Sequence, residues 1–260
     1  MRATALRIAI AQPTMHWSGD ANTASVVETL ALASLQGVSL CVFPELAVTG
    51  YHRRIAEAAR PERVEPWLQA VQAGCKARCI AAAVGAPSFG HDGSIFNSQI
   101  LIDASGERLA VVEKRGLTAP EATFFAQGKA RPTVALCGIR CSAVLCREVE
   151  DLEDVCSDLA AAAPELIFWP GLMSPEAGTG HIDPPVHVQN AQRLARRLGA
   201  FVLQANWPES LNYPESSACT GRSVVIRPDG EIAFALPQAQ AGLAVFNLGE
   251  SSYAWHPQAH

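Results

Sequence analysis

Leu6 to Ala11 (LRIAIA), Asn22 to Gln36 (NTASVVETLALASLQ) and Ser39 to Phe43 (SLCVF) decide the fold class of this chain. The first and third runs are short and apolar, the pattern of buried strands. Between them Val26, Val27, Leu30 and Ala31 share one face at helical spacing, and Gly37 stops the helix. A strand, a helix and a strand in that order predict a layered α/β protein.

The pattern continues outward. Glu62 to Ala77 reads as a helix around Val64, Trp67, Leu68 and Val71, and Cys79 to Gly85 as a strand of small residues. Ile95 to Asp103 and Glu107 to Lys114 form a hairpin, because Gly106 supplies the positive φ that its tight turn needs. Thr133 to Cys137 and Ile139 to Cys146 are strands, Asp151 to Ala163 a helix and Leu166 to Trp169 a short buried strand. Val186 to Leu198 is a helix stopped by Gly199, and Phe201 to Ala205 the strand after it. A last hairpin pairs Ser223 to Arg227 with Glu231 to Ala235 through Pro228-Asp229-Gly230, and Leu243 to Phe246 is the closing strand. The hairpins make the sheets mixed. Many short strands with few long helices suggest two facing sheets with helices outside, although periodicity alone also allows a single Rossmann-like sheet.

Composition excludes several classes. At 260 residues, 49% hydrophobic and 17% charged, the chain can bury a sizeable core and lacks the signature of disorder. A net charge of -5 argues against a duplex nucleic-acid binder and does not favour an anionic membrane surface. No window approaches the length of a spanning helix: Leu159 to Met173 is cut by Pro164, Glu165 and Pro170. The N-terminal apolar run is too short, and too broken by Arg7, for a signal peptide, so a soluble cytoplasmic protein is expected. No repeat, low-complexity run or Gly/Ser linker divides residues 1–260, which are read as one domain. The eight cysteines lack the two-residue gap of a zinc knuckle and read as reduced, mostly buried thiols, with no metal expected. No G-x-G-x-x-G or P-loop follows a strand, so a nucleotide cradle has no local support.

Three reactive side chains stand where a strand gives way to a loop. Glu45 follows Cys41-Val42-Phe43-Pro44, Lys114 follows Ala110-Val111-Val112-Glu113, and Cys146 follows Ser142-Ala143-Val144-Leu145. Strand ends aim residues and leave them accessible. Each alone has a bland reading: a solvated acid, a surface lysine, a core thiol.

Together they resemble the nitrilase, or carbon-nitrogen hydrolase, superfamily. Phe43-Pro44-Glu45-Leu46-Ala47-Val48-Thr49-Gly50-Tyr51 is similar to its first signature. Glu113-Lys114-Arg115 falls where its lysine stands, after the hairpin containing Phe96-Asn97-Ser98. Gly138 to Glu148, with Val144-Leu145-Cys146-Arg147-Glu148, resembles its cysteine signature. Glu45 and Lys114 lie 69 positions apart, and Lys114 and Cys146 32. Glu121, before Phe124-Phe125 and Gly128, is similar to the family's second glutamate, and Gln204-Ala205-Asn206-Trp207 to its late Asn-bearing strand end.

The resemblance implies a four-layer α-β-β-α sandwich assembled as a homodimer or larger homo-oligomer, with Asp151 to Ala163 and Val186 to Leu198 as interface helices. It implies a cofactor-independent hydrolase acting on a small linear amide: Cys146 as nucleophile, Glu45 as base, Lys114 with the Arg147 N–H as oxyanion donors, and Glu121 positioning Lys114 or the substrate. A free thiol has a pKa of about 8.5, so such a nucleophile needs a base. Arg147, Trp169 and Asn206 are the candidate substrate contacts, and Gly171 to Pro185, with Met173, Glu176 and His181, the candidate substrate loop. Trp169, Trp207 and Trp17 are pocket walls or core. Two departures stand out: Glu148 replaces the family's usual Asp, and Arg147 its usual aromatic. Arg147 either places a cation at the mouth or pairs with Glu148 or Glu150. The chain's length resembles the ω-amidase-like branches. An N-carbamoyl hydrolase, a nitrilase, an ammonia-passing amidotransferase subunit and a catalytically silent binder are the alternatives.

Overall fold

The computed structural model describes residues 6–174 and 183–258. Its first sheet is built from β1 (Arg7–Gln12), β2 (Leu40–Val42), β3 (Ala81–Phe89), β4 (Ile95–Ile102), β5 (Arg108–Glu113), β12 (Gly242–Asn247) and β13 (Ala254–Pro257), in the order β13-β12-β1-β2-β3-β4-β5. The second holds β6 (Val134–Leu136), β7 (Ile139–Ala143), β8 (Leu166–Gly171), β9 (Phe201–Asn206), β10 (Val224–Ile226) and β11 (Ile232–Ala235), in the order β11-β10-β9-β8-β7-β6. Both are mixed: β1, β2 and β3 run parallel, as do β7, β8 and β9, while the hairpins add antiparallel neighbours. The helices are α1 (Gly19–Leu35), the short α2 (Ile55–Ala58), α3 (Pro61–Arg78), α4 (Leu152–Ala160) and α5 (Val186–Leu198).

Alternation along the strands explains the layers. On β1, Ile8 and Ile10 face the second sheet, meeting a core that includes Ala143, Phe168 and Leu203, whereas Ala9 and Ala11 face Val26 and Leu30 of α1 and Leu68 of α3. On β8 and β9, Ile167, Trp169 and Val202 turn outward against Val155 and Leu159 of α4 and Leu194 of α5. Central strands buried on both faces are mostly apolar, which is why they read as near-continuous runs. The result is an α-β-β-α sandwich. Among the described residues, no helix is long and apolar enough to cross a membrane.

Several boundaries differ from the sequence reading. The chain closes on β13, not on Leu243 to Phe246, and β13 pairs with β12 through Leu243 and His256. β7 ends at Ala143, and Cys146 begins a 3-10 turn running to Glu150 instead of finishing the strand. Cys79 and Cys137 are exposed at φ 50° and 52°, so they are turn residues, not buried fillers. Cys137 and Gly138, both at positive φ, form the tight β6–β7 turn. The interior of the loop that begins at Gly171, including Glu176 and His181, lies outside the described residues.

Candidate active site

Glu45 stands on a tight turn after β2. Phe43 N–H donates to Ala83 O at 2.9 Å and Val48 N–H to Gly85 O at 3.1 Å, so β3 grips the turn on either side. Leu46 takes φ 53°, and Trp207 Nε1 donates to Glu45 O at 2.8 Å. Only glycine fits at position 85: a Cβ there would lie 2.3 Å from both Pro44 O and Leu46 N.

Lys114 follows β5, its N–H bonded to Asn97 O at 2.8 Å and its carbonyl accepting from Gly128 at 2.9 Å. Its side chain is wholly buried and its Nζ bridges two carboxylates, Glu45 Oε1 at 2.8 Å and Glu121 Oε1 at 2.5 Å. Glu121 opens a 3-10 turn, and its Oε2 accepts from Thr118 N at 2.8 Å and Thr118 Oγ1 at 3.0 Å. Tyr51 Oη donates to Glu121 Oε1 at 3.3 Å. Burial opposes ionisation of Glu121, but attraction and hydrogen bonding to Lys114, with the Thr118 donors, outweigh it and hold the carboxyl below its ordinary value. Burial likewise opposes charge on Lys114, yet the acids around it, Glu45 first, keep it well above the usual lysine range. A buried cation is tolerated only with such partners.

Glu45 is the exception among these acids. Burial dominates and raises its pKa from the ordinary value, against the pull of Lys114. Its Oε1 receives Lys114 and, at 2.6 Å, Asn97 Nδ2, whereas its buried Oε2 has no hydrogen-bond partner among the described residues.

Cys146 is partly buried and sits at φ 52°, a conformation that costs an L-residue about 1–3 kcal/mol and persists where surroundings enforce it. Two contacts do so. Trp169 Nε1 donates to Cys146 O at 2.9 Å, and Glu148 Oε2 accepts from Leu145 N at 2.7 Å. The thiol is pushed up to about 12, first by burial and then by the negative charge of Glu45, with Lys114 and the Leu172 N–H pulling the other way. The Arg147 N–H lies in the first turn of the 3-10 segment, where amides have no carbonyl of their own turn to meet.

The remaining candidates have different placements. Glu148 faces inward; its Oε1 accepts from Arg115 N at 2.7 Å, Gly116 N at 2.9 Å and Arg131 at 2.7 Å. Arg147 therefore does not pair with Glu148: it meets Asp151 at 2.8 Å and, more loosely, Glu150 at 3.6 Å. Trp169 is fully buried beneath Cys146 in the helix-side core, and Trp207 is equally buried. Trp17 is exposed, with the Arg53 guanidinium over its ring. Asn206 is spent on backbone, accepting from Met173 N at 2.8 Å and donating to Met173 O and Gly221 O, both at 2.8 Å. It anchors the chain just after Gly171. Among the described residues no three His, Cys, Asp or Glu side chains form a group able to hold a metal.

The sequence reading assigned no site role to Tyr51, Asn97, Thr118 or Leu172. Asn97 had a visible signal: Asn97-Ser98-Gln99 is a fully buried polar run inside an otherwise apolar strand, and such groups need partners.

Comparison with known proteins bears on the fold and the family. A solved amidase from Nesterenkonia sp. superposes with a TM-score of 0.81 at 26% identity, covering 95% of this chain and 92% of that one. Variants of that amidase are described in complex with acrylamide and with the acetamide moiety of fluoroacetamide added covalently at the active site cysteine. A hydrolase of the pqqF 5′ region of Pseudomonas protegens is 30% identical over 197 residues, 74% of this chain and 65% of that protein. The glutamine-dependent NAD(+) synthetase of Acinetobacter baylyi is 24% identical over 254 residues, 95% of this chain and 45% of that protein. The chain thus spans less than two thirds of the length of these curated relatives. The carbon-nitrogen hydrolase family model matches residues 7–256, nearly end to end, and the chain belongs to that family.

Proposed function

We propose that the protein hydrolyses the non-peptide C–N bond of a small linear amide through a thioester on Cys146, releasing ammonia without a cofactor. The observation that carries this reading is the division of labour on Glu45: one oxygen bonded to Lys114 and Asn97, the other buried and free.

The chemistry follows from the electrostatics. A thiol held near 12 is neutral at pH 7, so attack on the carbonyl carbon requires transfer of the Sγ proton to Glu45 as the C–S bond forms. The carbonyl oxygen gains negative charge in the tetrahedral intermediate. Lys114 and the Arg147 N–H are the donors assigned to it; one such donor contributes about 2.7–4 kcal/mol in related chemistry. Glu45 returns its proton to the amine as the C–N bond breaks and ammonia leaves. Water, deprotonated by the same carboxylate, then attacks the thioester and yields the acid and the free thiol. Glu121 keeps Lys114 charged and in place. The amides bound by variants of the Nesterenkonia amidase support an amide substrate here.

The test is ammonia release from short ω-amides including glutamine, carbamoyl amino acids and aliphatic nitriles, beside Cys146→Ala. Turnover of amides that vanishes in the variant is expected. Turnover confined to carbamoyl compounds or nitriles moves the assignment to those branches, and turnover surviving Cys146→Ala refutes the nucleophile. The proposal includes a cytoplasmic homo-oligomer, which a strictly monomeric sedimentation profile overturns.

A further inference from the structure

We propose that Asn97 is a positioning residue that dedicates Glu45 Oε2 to proton transfer by occupying Oε1 together with Lys114. The inference rests on the hydrolase reading above and assigns a part to a residue outside the Glu45, Lys114, Cys146 and Glu121 set.

A carboxylate has two chemically equivalent oxygens, and rotation about its last torsion exchanges them. Lys114 alone does not prevent this, because an ammonium is a rotating three-donor group that can follow either oxygen. Asn97 differs: its amide is planar, and its side chain projects from β4, a strand hydrogen-bonded on both sides to β3 and β5. Oε1 accepts from Asn97 Nδ2 at 2.6 Å and from Lys114 Nζ at 2.8 Å, enough donors to occupy its two lone pairs, while Oε2 has no hydrogen-bond partner among the described residues. The main chain of Asn97 adds a second constraint, since its carbonyl accepts the Lys114 N–H at 2.8 Å and sets where the lysine leaves β5. One residue thus registers the cation through its backbone and the base through its side chain. Asn97 is wholly buried, so water cannot replace the lost donor without entering the core.

A donor to the ionised form also favours ionisation, which predicts a signature that loss of packing does not produce. The experiment follows alkylation of Cys146 by iodoacetamide against pH, read by peptide mass spectrometry, in wild type, Asn97→Leu and Asn97→Ala, with thermal melts to establish folding and Glu45→Gln as control. Asn97→Leu keeps bulk and Asn97→Ala removes it, so one folded variant suffices. Losing a hydrogen bond to a charged group moves the acid limb of alkylation up by about one pH unit, roughly tenfold in rate on that limb. On amides, kcat falls with KM little changed. A folded variant whose acid limb coincides with that of wild type overturns the proposal, as does a uniform loss at every pH. Wild-type protein whose alkylation depends on Glu45, yet which releases no ammonia from any amide, refutes the hydrolase reading and leaves the Asn97 shift to be read on its own.

Discussion

Gly85→Ala tests whether the position of the Glu45 turn is set by close backbone contact. The added Cβ lies 2.3 Å from Pro44 O and Leu46 N and 2.7 Å from the Glu45 carbonyl carbon, roughly 1 Å short of the 3.4 Å where ordinary contact begins. All three obstacles are main chain, so no side chain can swing away. Either β3 or the turn must retreat by about that 1 Å, and β3 is held by β4 from Ala82 to Phe89 and by β2 from Ala81 to Ala83. The turn is the part that gives, taking Glu45 with it. Overpacking costs about 1–3 kcal/mol, which for a chain of this size lowers the melting temperature by roughly 2–12 °C. Misplacing a reacting group by 1 Å costs on the order of 10²-fold in rate.

The assay is kcat/KM on the best amide beside a thermal melt, with Gly74→Ala in α3 as reference. A Cβ at position 74 meets Leu30 Cδ1 at 3.4 Å, ordinary contact, so that variant keeps wild-type activity and gains up to about 1 kcal/mol from helix propensity. Gly85→Ala that is folded and within twofold of wild-type kcat/KM refutes the argument.

Trp169→Phe removes the donor to Cys146 O and leaves a void in the helix-side core, so a loss of about 2–4 kcal/mol in stability is expected together with slower alkylation of Cys146, measured by melting and by iodoacetamide. Lys114→Met leaves Glu45 and Glu121 buried without their cation. Their folded pKa values then rise above the unfolded ones, so the variant loses stability as pH rises through and above about 4.3 and approaches wild type in acid; urea melts from pH 4 to 8 check the direction. Because burial raises Glu45, the acid limb of kcat/KM for wild type stands above the ordinary glutamate value of 4.5, and a limb below it contradicts the site as drawn. Glu148→Ala leaves Arg131 with Asp158 alone and takes the acceptor from three backbone amides, costing about 3–5 kcal/mol by urea unfolding, whereas Glu148→Asp, one methylene short, folds and loses activity first.

Much of this was legible in the sequence because the strongest signals are local. The α1 face at Val26 and Leu30, the run of small residues in β3 and the Asp103–Gly106 turn each declare themselves within a few residues. β13 escaped because Ala254-Trp255-His256-Pro257 is short, partly exposed and proline-ended, an edge strand defined by its pairing with β12. The grouping of Glu45, Lys114 and Glu121 came through resemblance; no spacing rule says that the ends of β2 and β5, with β3 and β4 between them in the sheet, face a 3-10 turn further on. Contacts of Arg147 depended on which way a single helical turn faced. The turn directs Glu148 inward and leaves Arg147 to Asp151, a choice that composition does not record.

The site is a property of the closed sandwich and not of either sheet. Glu45 and Lys114 come from strand ends of the first sheet and Cys146 from a strand end of the second. Glu148 ties the two, because a single carboxylate accepts from Arg115 and Gly116, immediately after β5, and from Leu145, immediately before Cys146. The left-handed Cys146 is therefore clamped from the first sheet through Glu148 and from the helix-side core through Trp169. Strain that is over-determined in this way keeps Cys146 in one conformation, and under the proposed mechanism it holds the thiol ready at no cost during turnover, since the energy was committed when the sheets packed. It follows that partial opening of the sandwich removes the Cys146 geometry before it removes secondary structure, so loss of amide turnover precedes loss of far-UV dichroism in a denaturant titration.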